Sequence, residues 1–139
     1  MLINPEPARL SQGVALIRIV LGLLLAYHGQ EVFHSRLMQE YMQWEPLAGP
    51  NASLLVYTGK SAELLAGILL TLGLFTRPAA LILIATLSYI TFFIGQGRFW
   101  YQDQHPFLFV LFGLQLLFTG PGAWSLDRYL YYRTGKRKK

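Results

Sequence analysis

SLLVYTGKSAELLAGILLTLGLFTRPAALILIATLSYITFFIGQG, residues 53–97, reads as two long apolar helices joined by a tight turn. Its only charged residues are Lys60, Glu63 and Arg77. Each half has about the 20 residues that a helix needs to cross the hydrocarbon core of a bilayer. Gly73 breaks the apolar run, and Pro78 suits the first turn of a following helix, where its missing N–H costs little. The stretch therefore predicts a membrane hairpin with spans at 53–75 and 78–97.

Two further apolar segments flank this hairpin. Residues 12–33 contain VALIRIVLGLLLAY, interrupted by Arg18, and residues 105–123 contain PFLFVLFGLQLLFTGPGA. The unbroken part of the last segment ends near Thr119, where the Gly120-Pro121-Gly122 run should bend or end the helix. We therefore expect an all-α fold, an integral membrane four-helix bundle that forms a single domain over residues 1–139.

The composition supports this fold class. The chain is 53% hydrophobic and 14% charged, whereas a soluble domain has about 25% charged residues. It has no cysteine, which excludes disulfides, thiol catalysis and iron–sulfur ligation by thiolates. The first apolar run is too long for a signal peptide and lacks a small-residue cleavage site, so we interpret it as a retained first span.

Basic residues fall mainly on one side of the predicted topology. With four spans, the N-terminus, the Arg77 turn and the basic tail at 133–139 share a side, while Arg36 and Arg98 lie on the other. The positive-inside rule then predicts that both termini are cytoplasmic. The tail suits orientation or contact with anionic membrane lipid, and no nucleic-acid partner is expected.

A polar stretch separates the first two spans. Phe33, Leu37, Tyr41 and Trp44 recur there at helical spacing with charges between them. This pattern predicts a short amphipathic helix lying on the membrane surface.

Small residues indicate which helices pack closest. They occur in the first span at Gly22, Ala26 and Gly29, and in the second at positions that include Ala66 and Gly67. Because association in lipid depends on close backbone approach, these two spans should form the tightest pair.

Arg18, Lys60 and Glu63 lie well inside the spans, where an ionisable group needs a partner or a wet cavity. Arg18 either extends to the near surface or faces the bundle. Lys60 and Glu63 are three residues apart and share a helix face. Counted from Ser53, Glu63 lies roughly 15 Å along its helix, near the bilayer centre. The pair is either a structural ion pair or a proton-handling site.

Polar residues also close the outer ends of all four spans. In the order of the spans they are His28 and Glu31, Lys60 and Glu63, Gln96 and Arg98, and Asp103 and His105. We expect a shared vestibule there, with Arg98 and Asp103 acting as ordinary caps. His28 and His105 can face each other, but without an HxxxH or CxxCH spacing neither haem nor a metal is expected.

Three segments resemble the DoxX family. Arg18 with Gly22 and Gly29 is similar to that family's first-helix motif. KSAELLAGILLTLGLFTRPAAL, residues 60–81, resembles its central signature, and GPGAWSLDRYL, residues 120–130, its closing segment. Arg18, Glu63, Thr76, Arg77 and Asp127 match motif positions, whereas His28 departs from the pattern. The resemblance implies that Asp127 and Arg128 cap the closing helix and that Arg77 anchors the inner turn.

The resemblance also implies a function linked to quinones or oxidative stress, because some relatives are subunits of thiosulfate:quinone oxidoreductase. We therefore expect a subunit in the cell inner membrane that binds a quinone and receives electrons from a soluble oxidoreductase partner. The expected catalytic residues are Glu63, His28 and Lys60, and the expected cofactor-binding residues are Arg18, Tyr27, Tyr57, Tyr89 and His105. The alternatives are a non-enzymatic anchor for a soluble partner, and a small transporter or proton pathway built on Lys60 and Glu63. Whether the chain is catalytic alone, and whether it forms a homo-oligomer, stay open.

Overall fold

The computed structural model describes residues 9–135. In that range the chain forms helices joined by loops, and no strand. The helices are α1 (Leu10–Gly29), continued by a 3-10 turn (Gln30–Phe33), α2 (Ser35–Met42), α3 (Ala52–Leu72), α4 (Thr76–Tyr89), continued by a π-helical turn (Ile90–Ile94), α5 (Gln104–Thr119) and α6 (Leu126–Gly135). The predicted all-α class is confirmed.

Within residues 9–135, three helical segments are long and apolar enough to cross a membrane: Leu10–Phe33, Ala52–Leu72 and Thr76–Ile94. The fourth apolar helix, α5, has 16 residues, or about 24 Å at 1.5 Å per residue. It ends at Thr119, whereas the predicted span continued to 123, because Gly120 leaves the helix with a φ of 76°. The glycine that was expected to bend or end this helix therefore ends it.

The turn between α3 and α4 is set by Gly73. This residue has a left-handed backbone (φ 63°), which glycine adopts without a Cβ penalty. The N–H of Gly73 donates to the Leu70 carbonyl and the N–H of Leu74 to the Leu69 carbonyl, a common helix ending. The second span therefore stops at Leu72, not at the predicted residue 75, and the next helix begins at Thr76.

Helices α1 and α3 form the closest pair, as their small residues predict. A Cβ on Gly67 would clash with the backbone of Ala26, and one on Gly29 would clash with the backbone of Leu64. Gly22 likewise lies against the backbone of Thr71. These glycines let the two backbones touch, which favours association in an apolar medium.

Buried aliphatic side chains fill the space between α1, α3, α4 and α5. Leu25, Leu70, Leu83 and Leu116 are all almost fully buried in this core. The outer faces of the same helices are also apolar: Leu65, Leu81 and Phe118 are among many large side chains that are about half or more exposed. A helix that is apolar all round suits lipid surroundings.

The predicted amphipathic helix is present as α2, but a different side chain anchors it. Met38 is fully buried and packs with Leu47 and Val56, whereas Phe33 is 78% exposed. The stripe that begins at Phe33 therefore does not mark the buried face. As a result, α2 and the loop after it cover the start of α3.

Candidate functional site

A cavity of about 630 Å³ lies at the end of the bundle where α1 ends and α5 begins, called here the cavity end. Its walls come from α1 to α5 and are mostly apolar. Its polar and aromatic lining residues are His28, Tyr41, Trp44, Thr58, Lys60, Glu63, Thr86, Tyr89, His105 and Phe109. Of the polar residues predicted to meet at this end, His28, Lys60, Glu63 and His105 line the cavity. The others, Glu31, Gln96, Arg98 and Asp103, are not among its lining residues.

The cavity reaches the surface between α3 and α4. The lining residues Leu55 and Thr58 on α3, and Ala85 and Tyr89 on α4, are all exposed. Ile90 and Ile94 line it from the π-helical turn, a helix irregularity that is frequent at functional sites. The opening therefore lies along the apolar sides of two long helices.

An ionic network lies inside this cavity, centred on Lys60. Lys60 Nζ is 2.8 Å from Glu31 Oε2 and 3.1 Å from Glu63 Oε2. The side chain of Glu63 is only 6% exposed and that of Lys60 16%. Glu31 comes from the 3-10 turn after α1, so the network ties that turn to α3. The Lys60–Glu63 pair that the sequence suggests is present, and Glu31 is its third member.

Tyr41 extends the network to α2. Its hydroxyl donates a 2.8 Å hydrogen bond to Glu31 Oε2, and Lys60 Nζ lies 4.9 Å from the centre of its ring. Burial and the hydrogen bond to Glu31 raise the pKa of Tyr41 above its ordinary value. Sequence reasoning placed Tyr41 on a membrane-surface stripe and missed this contact; its four-residue periodicity with Leu37 was the available signal.

His28 and His105 meet across the cavity, as predicted. Their ring centres are 6.0 Å apart in an edge-to-face arrangement, and His105 also contacts Phe109 at 5.1 Å. Within residues 9–135, no three or more His, Asp or Glu side chains form a group suited to hold a metal ion. The two imidazoles are therefore available to donate or accept hydrogen bonds in the cavity.

Arg18 lies at the opposite end of the bundle, away from the cavity. It is fully buried, so of the two expected orientations the bundle-facing one is correct. Its guanidinium donates to five backbone carbonyls: Leu70 and Thr71 at the end of α3, and Pro121, Ala123 and Trp124 after α5. The structure therefore does not bring Arg18 together with Glu63 and Lys60.

Asp127 lies near the Arg18 guanidinium. It caps α4 and not α6, the helix that it was expected to cap. Its carboxylate accepts hydrogen bonds from the backbone N–H groups of Phe75 and Thr76, at the start of α4. The expectation that Asp127 caps its own helix is therefore wrong. Ser125 does so instead, because its hydroxyl accepts from the N–H of Arg128.

The predicted tyrosines divide between the cavity and the outer surface. Tyr89 lines the cavity, whereas Tyr27 and Tyr57 are 65% and 40% exposed and are not among its lining residues. Tyr27 contacts His28 with ring centres 5.9 Å apart. The structure thus places Tyr89 with His28, His105, Lys60 and Glu63, and leaves the other two tyrosines outside.

Asp103 directly precedes α5, but its carboxylate makes no capping hydrogen bond to that helix, so the expected capping role is not observed. Its carboxylate accepts from the backbone N–H groups of Gln96 and Arg98, which closes the loop between the π-helical turn and α5. A Cβ at Gly95 would clash with this carboxylate. These residues shape the rim of the cavity end and lie outside the ionic network.

Comparison with known proteins finds one family model and two relatives that are similar to this chain. The family model described as DoxX matches residues 13–96. An uncharacterized protein of Haemophilus influenzae is 29% identical over 85% of this chain and 90% of its own length. An uncharacterized membrane protein of Mycobacterium tuberculosis is 32% identical over 86% of this chain and 82% of its own length. No solved structure matches the chain significantly.

Proposed function

The chain belongs to the DoxX family of membrane proteins, and from that premise we propose that it binds a quinone-type molecule and supports quinone-linked redox chemistry. The observation that carries the proposal is the apolar cavity that opens along the sides of α3 and α4 and contains Glu63. An opening of this kind suits a ligand that arrives through the membrane, since the surrounding helix faces are themselves apolar.

The residues present fit such a ligand. The cavity volume of about 630 Å³ lies within the range of roughly 300–1,000 Å³ typical of small-molecule sites. Those sites are also mostly apolar with a few placed polar groups. Here Leu25, Val56 and Phe109 supply apolar walls, while Glu63 and His105 supply hydrogen-bonding groups.

A bound quinone would supply two-electron, two-proton chemistry. Glu63 would hold or release a proton at its carboxylate, and His28 and His105 would hydrogen-bond the ligand head. Tyr89 and Trp44 offer aromatic faces at the edge of the cavity. Because the chain has no cysteine, we place the electron source in a soluble oxidoreductase partner, which makes this chain a membrane subunit.

The proposal includes four spans in the inner membrane with both termini cytoplasmic. Helix α5 is the short member, and the segment after it would complete the crossing. The absence of native cysteine allows a direct test, because single cysteines at Gln102 and Tyr132 can be labelled separately in intact cells and inverted vesicles. Four spans predict labelling from outside at position 102 and from inside at position 132. Labelling of both from the same side would contradict the topology.

Quinone binding can be tested through Trp44, which lines the cavity. A decyl-substituted quinone should quench the fluorescence of the purified protein in nanodiscs, and the quenching should be lost in Trp44→Phe. Ala85→Phe fills the opening without adding a second fluorophore and should weaken binding at least about tenfold. The matched control is Leu65→Phe on the outer face of α3, which should leave it unchanged. Equal binding by both variants, or no saturable binding, would overturn the proposal.

The two alternatives make different predictions. A non-enzymatic anchor would show no saturable quinone binding but would co-purify with a soluble oxidoreductase. A transporter needs a polar route through the bundle, whereas buried aliphatic side chains such as Leu70, Leu83 and Leu116 form the core of the described structure. Proton or solute flux in liposomes that is lost in Glu63→Gln would favour that alternative.

A further inference from the structure

The ionic network in the cavity has more acceptors than donors. Two carboxylates, Glu31 and Glu63, share the single ammonium of Lys60. Glu31 also accepts a hydrogen bond from Tyr41, so Glu31 is the better satisfied of the two. The surplus of acceptor capacity therefore lies on Glu63, which is the carboxylate that lines the cavity.

The ammonium of Lys60 has little hydrogen-bonding capacity left for a ligand. An ammonium has three N–H donors, and Lys60 directs two contacts to carboxylates and lies over the ring of Tyr41. The expected role of Lys60 in polarising a quinone oxygen would require it to give up one of these contacts. Its geometry instead fits a residue that positions Glu63 and Glu31.

Glu63 retains a free acceptor. Lys60 contacts its Oε2 atom, and within residues 9–135 no hydrogen bond to its Oε1 atom is present. The side chain of Glu63 is 6% exposed and lines the cavity, so a hydrogen-bond donor on a ligand can satisfy this oxygen. While Glu63 is ionised beside the Lys60 ammonium, a carbonyl oxygen placed there would oppose a carboxylate, and neither group would have a proton to share.

The other polar groups of the cavity can hydrogen-bond either the oxidised or the reduced form of a quinone. A neutral imidazole has one donor and one acceptor nitrogen, so His28 and His105 can pair with a hydroxyl or with a carbonyl. The hydroxyls of Thr58 and Thr86, which also line the cavity, are equally adaptable. The discrimination between ligand forms therefore rests on Glu63.

We infer that the cavity selects the hydroquinone over the oxidised quinone, because Glu63 accepts a hydrogen bond that only the hydroxyl form can donate. This inference deepens the proposed function and rests on it. The selectivity should be large, since a site built to bond a hydroxyl discriminates strongly against an analogue that lacks it. One hydrogen bond to a charged acceptor corresponds to about a tenfold difference in affinity.

The test compares ligands that share one decyl tail. Binding of the hydroquinone, the quinone and the dimethoxy ether of the hydroquinone is measured without oxygen by calorimetry on the intact protein in nanodiscs. The hydroquinone should bind at least about tenfold tighter than the other two. In Glu63→Gln the preference should shrink to about twofold or reverse, because the amide N–H can donate to a carbonyl. Glu40→Gln, on the exposed face of α2, is the matched control and should keep the preference.

The outcomes separate the two proposals. If none of the three ligands binds, the proposed function fails. If the quinone binds as tightly as the hydroquinone, or if Glu63→Gln keeps the full preference, the selectivity is overturned while quinone binding stands. Tighter binding of a decylamine than of the hydroquinone would also overturn it, since the surplus carboxylate would then select a cation. Circular dichroism of each variant checks that it is folded.

Discussion

Arg18 Nε donates a 2.8 Å hydrogen bond to the Pro121 carbonyl oxygen, which joins α1 to the segment after α5. The same guanidinium bonds the last carbonyls of α3 and the carbonyl of Trp124. Trp124 is one of two non-glycine residues with positive φ in the described chain, and the other, Phe75, is bonded by Asp127. Two charged side chains thus stabilise the two unfavourable backbone positions, and both lie at the end opposite the cavity.

Arg18→Lys should destabilise the fold although it keeps the positive charge. A lysine has three donors on a single nitrogen and cannot reach five carbonyls spread over two segments. Several buried carbonyls would lose their partners, at roughly 1–3 kcal/mol for each group. We expect a loss of at least about 3 kcal/mol in unfolding free energy, measured by denaturant titration in detergent.

The matched control for this change is Arg36→Lys. Arg36 is 90% exposed and pairs with Glu40 on the surface of α2, and such pairs contribute about 0–1 kcal/mol. Equal effects of the two substitutions would mean that the network of carbonyl bonds around Arg18 is not what holds this end together.

Gly67→Ala should separate α1 from α3. The added methyl group would clash with the backbone of Ala26, and backbone cannot move aside as a flexible side chain can. We expect a loss of about 1–3 kcal/mol. Gly13→Ala is the control, because a Cβ there meets nothing within 4 Å. It should be neutral or stabilising by up to about 1 kcal/mol. Thermal unfolding of both variants measures the difference, and similar melting temperatures would contradict close packing at Gly67.

Much of the helical layout is predictable from local sequence. The apolar runs, the Gly73 turn and the Gly120 helix end are read from hydropathy and backbone preference, which act over a few neighbouring residues. The close α1–α3 contact follows similarly from the spacing of small residues. The ends of the observed helices differ by a few residues from the predicted span ends, because helix ends depend on local hydrogen bonds.

The partners of charged side chains are harder to predict, because they come from distant parts of the chain. Lys60 and Glu63 are near neighbours and were paired correctly, whereas Glu31 and Tyr41 join them only through tertiary packing. Arg18 and Asp127 match family motif positions, but sequence spacing does not show that they bond residues 103 and 52 positions away. A motif position therefore identified residues that matter without identifying their roles.

Lys60→Met should be strongly destabilising, and Glu63→Gln should partly rescue it. Removing the ammonium leaves two carboxylates close together with low exposure, a situation that costs about 3–5 kcal/mol when a buried pair is broken. Neutralising Glu63 removes one of the two unpaired charges. We expect a coupling of roughly 1–3 kcal/mol in a double-mutant cycle based on unfolding free energies. Additive effects would show that Lys60 and Glu63 do not interact in the folded protein.

Tyr41 should make stability depend on pH in the alkaline range. Its pKa is raised in the folded protein by burial and by its bond to Glu31, so the folded state favours the neutral phenol. The resulting stabilisation is fully present below the ordinary tyrosine pKa of about 10 and is lost as pH rises through the higher pKa of the folded state. The unfolding free energy should therefore fall more steeply above about pH 10 in the native protein than in Tyr41→Phe. Tyr101→Phe, which removes a hydroxyl from a 76% exposed side chain, should retain the native slope. Parallel slopes for the native protein and Tyr41→Phe would show that the Tyr41–Glu31 bond does not persist in the membrane protein.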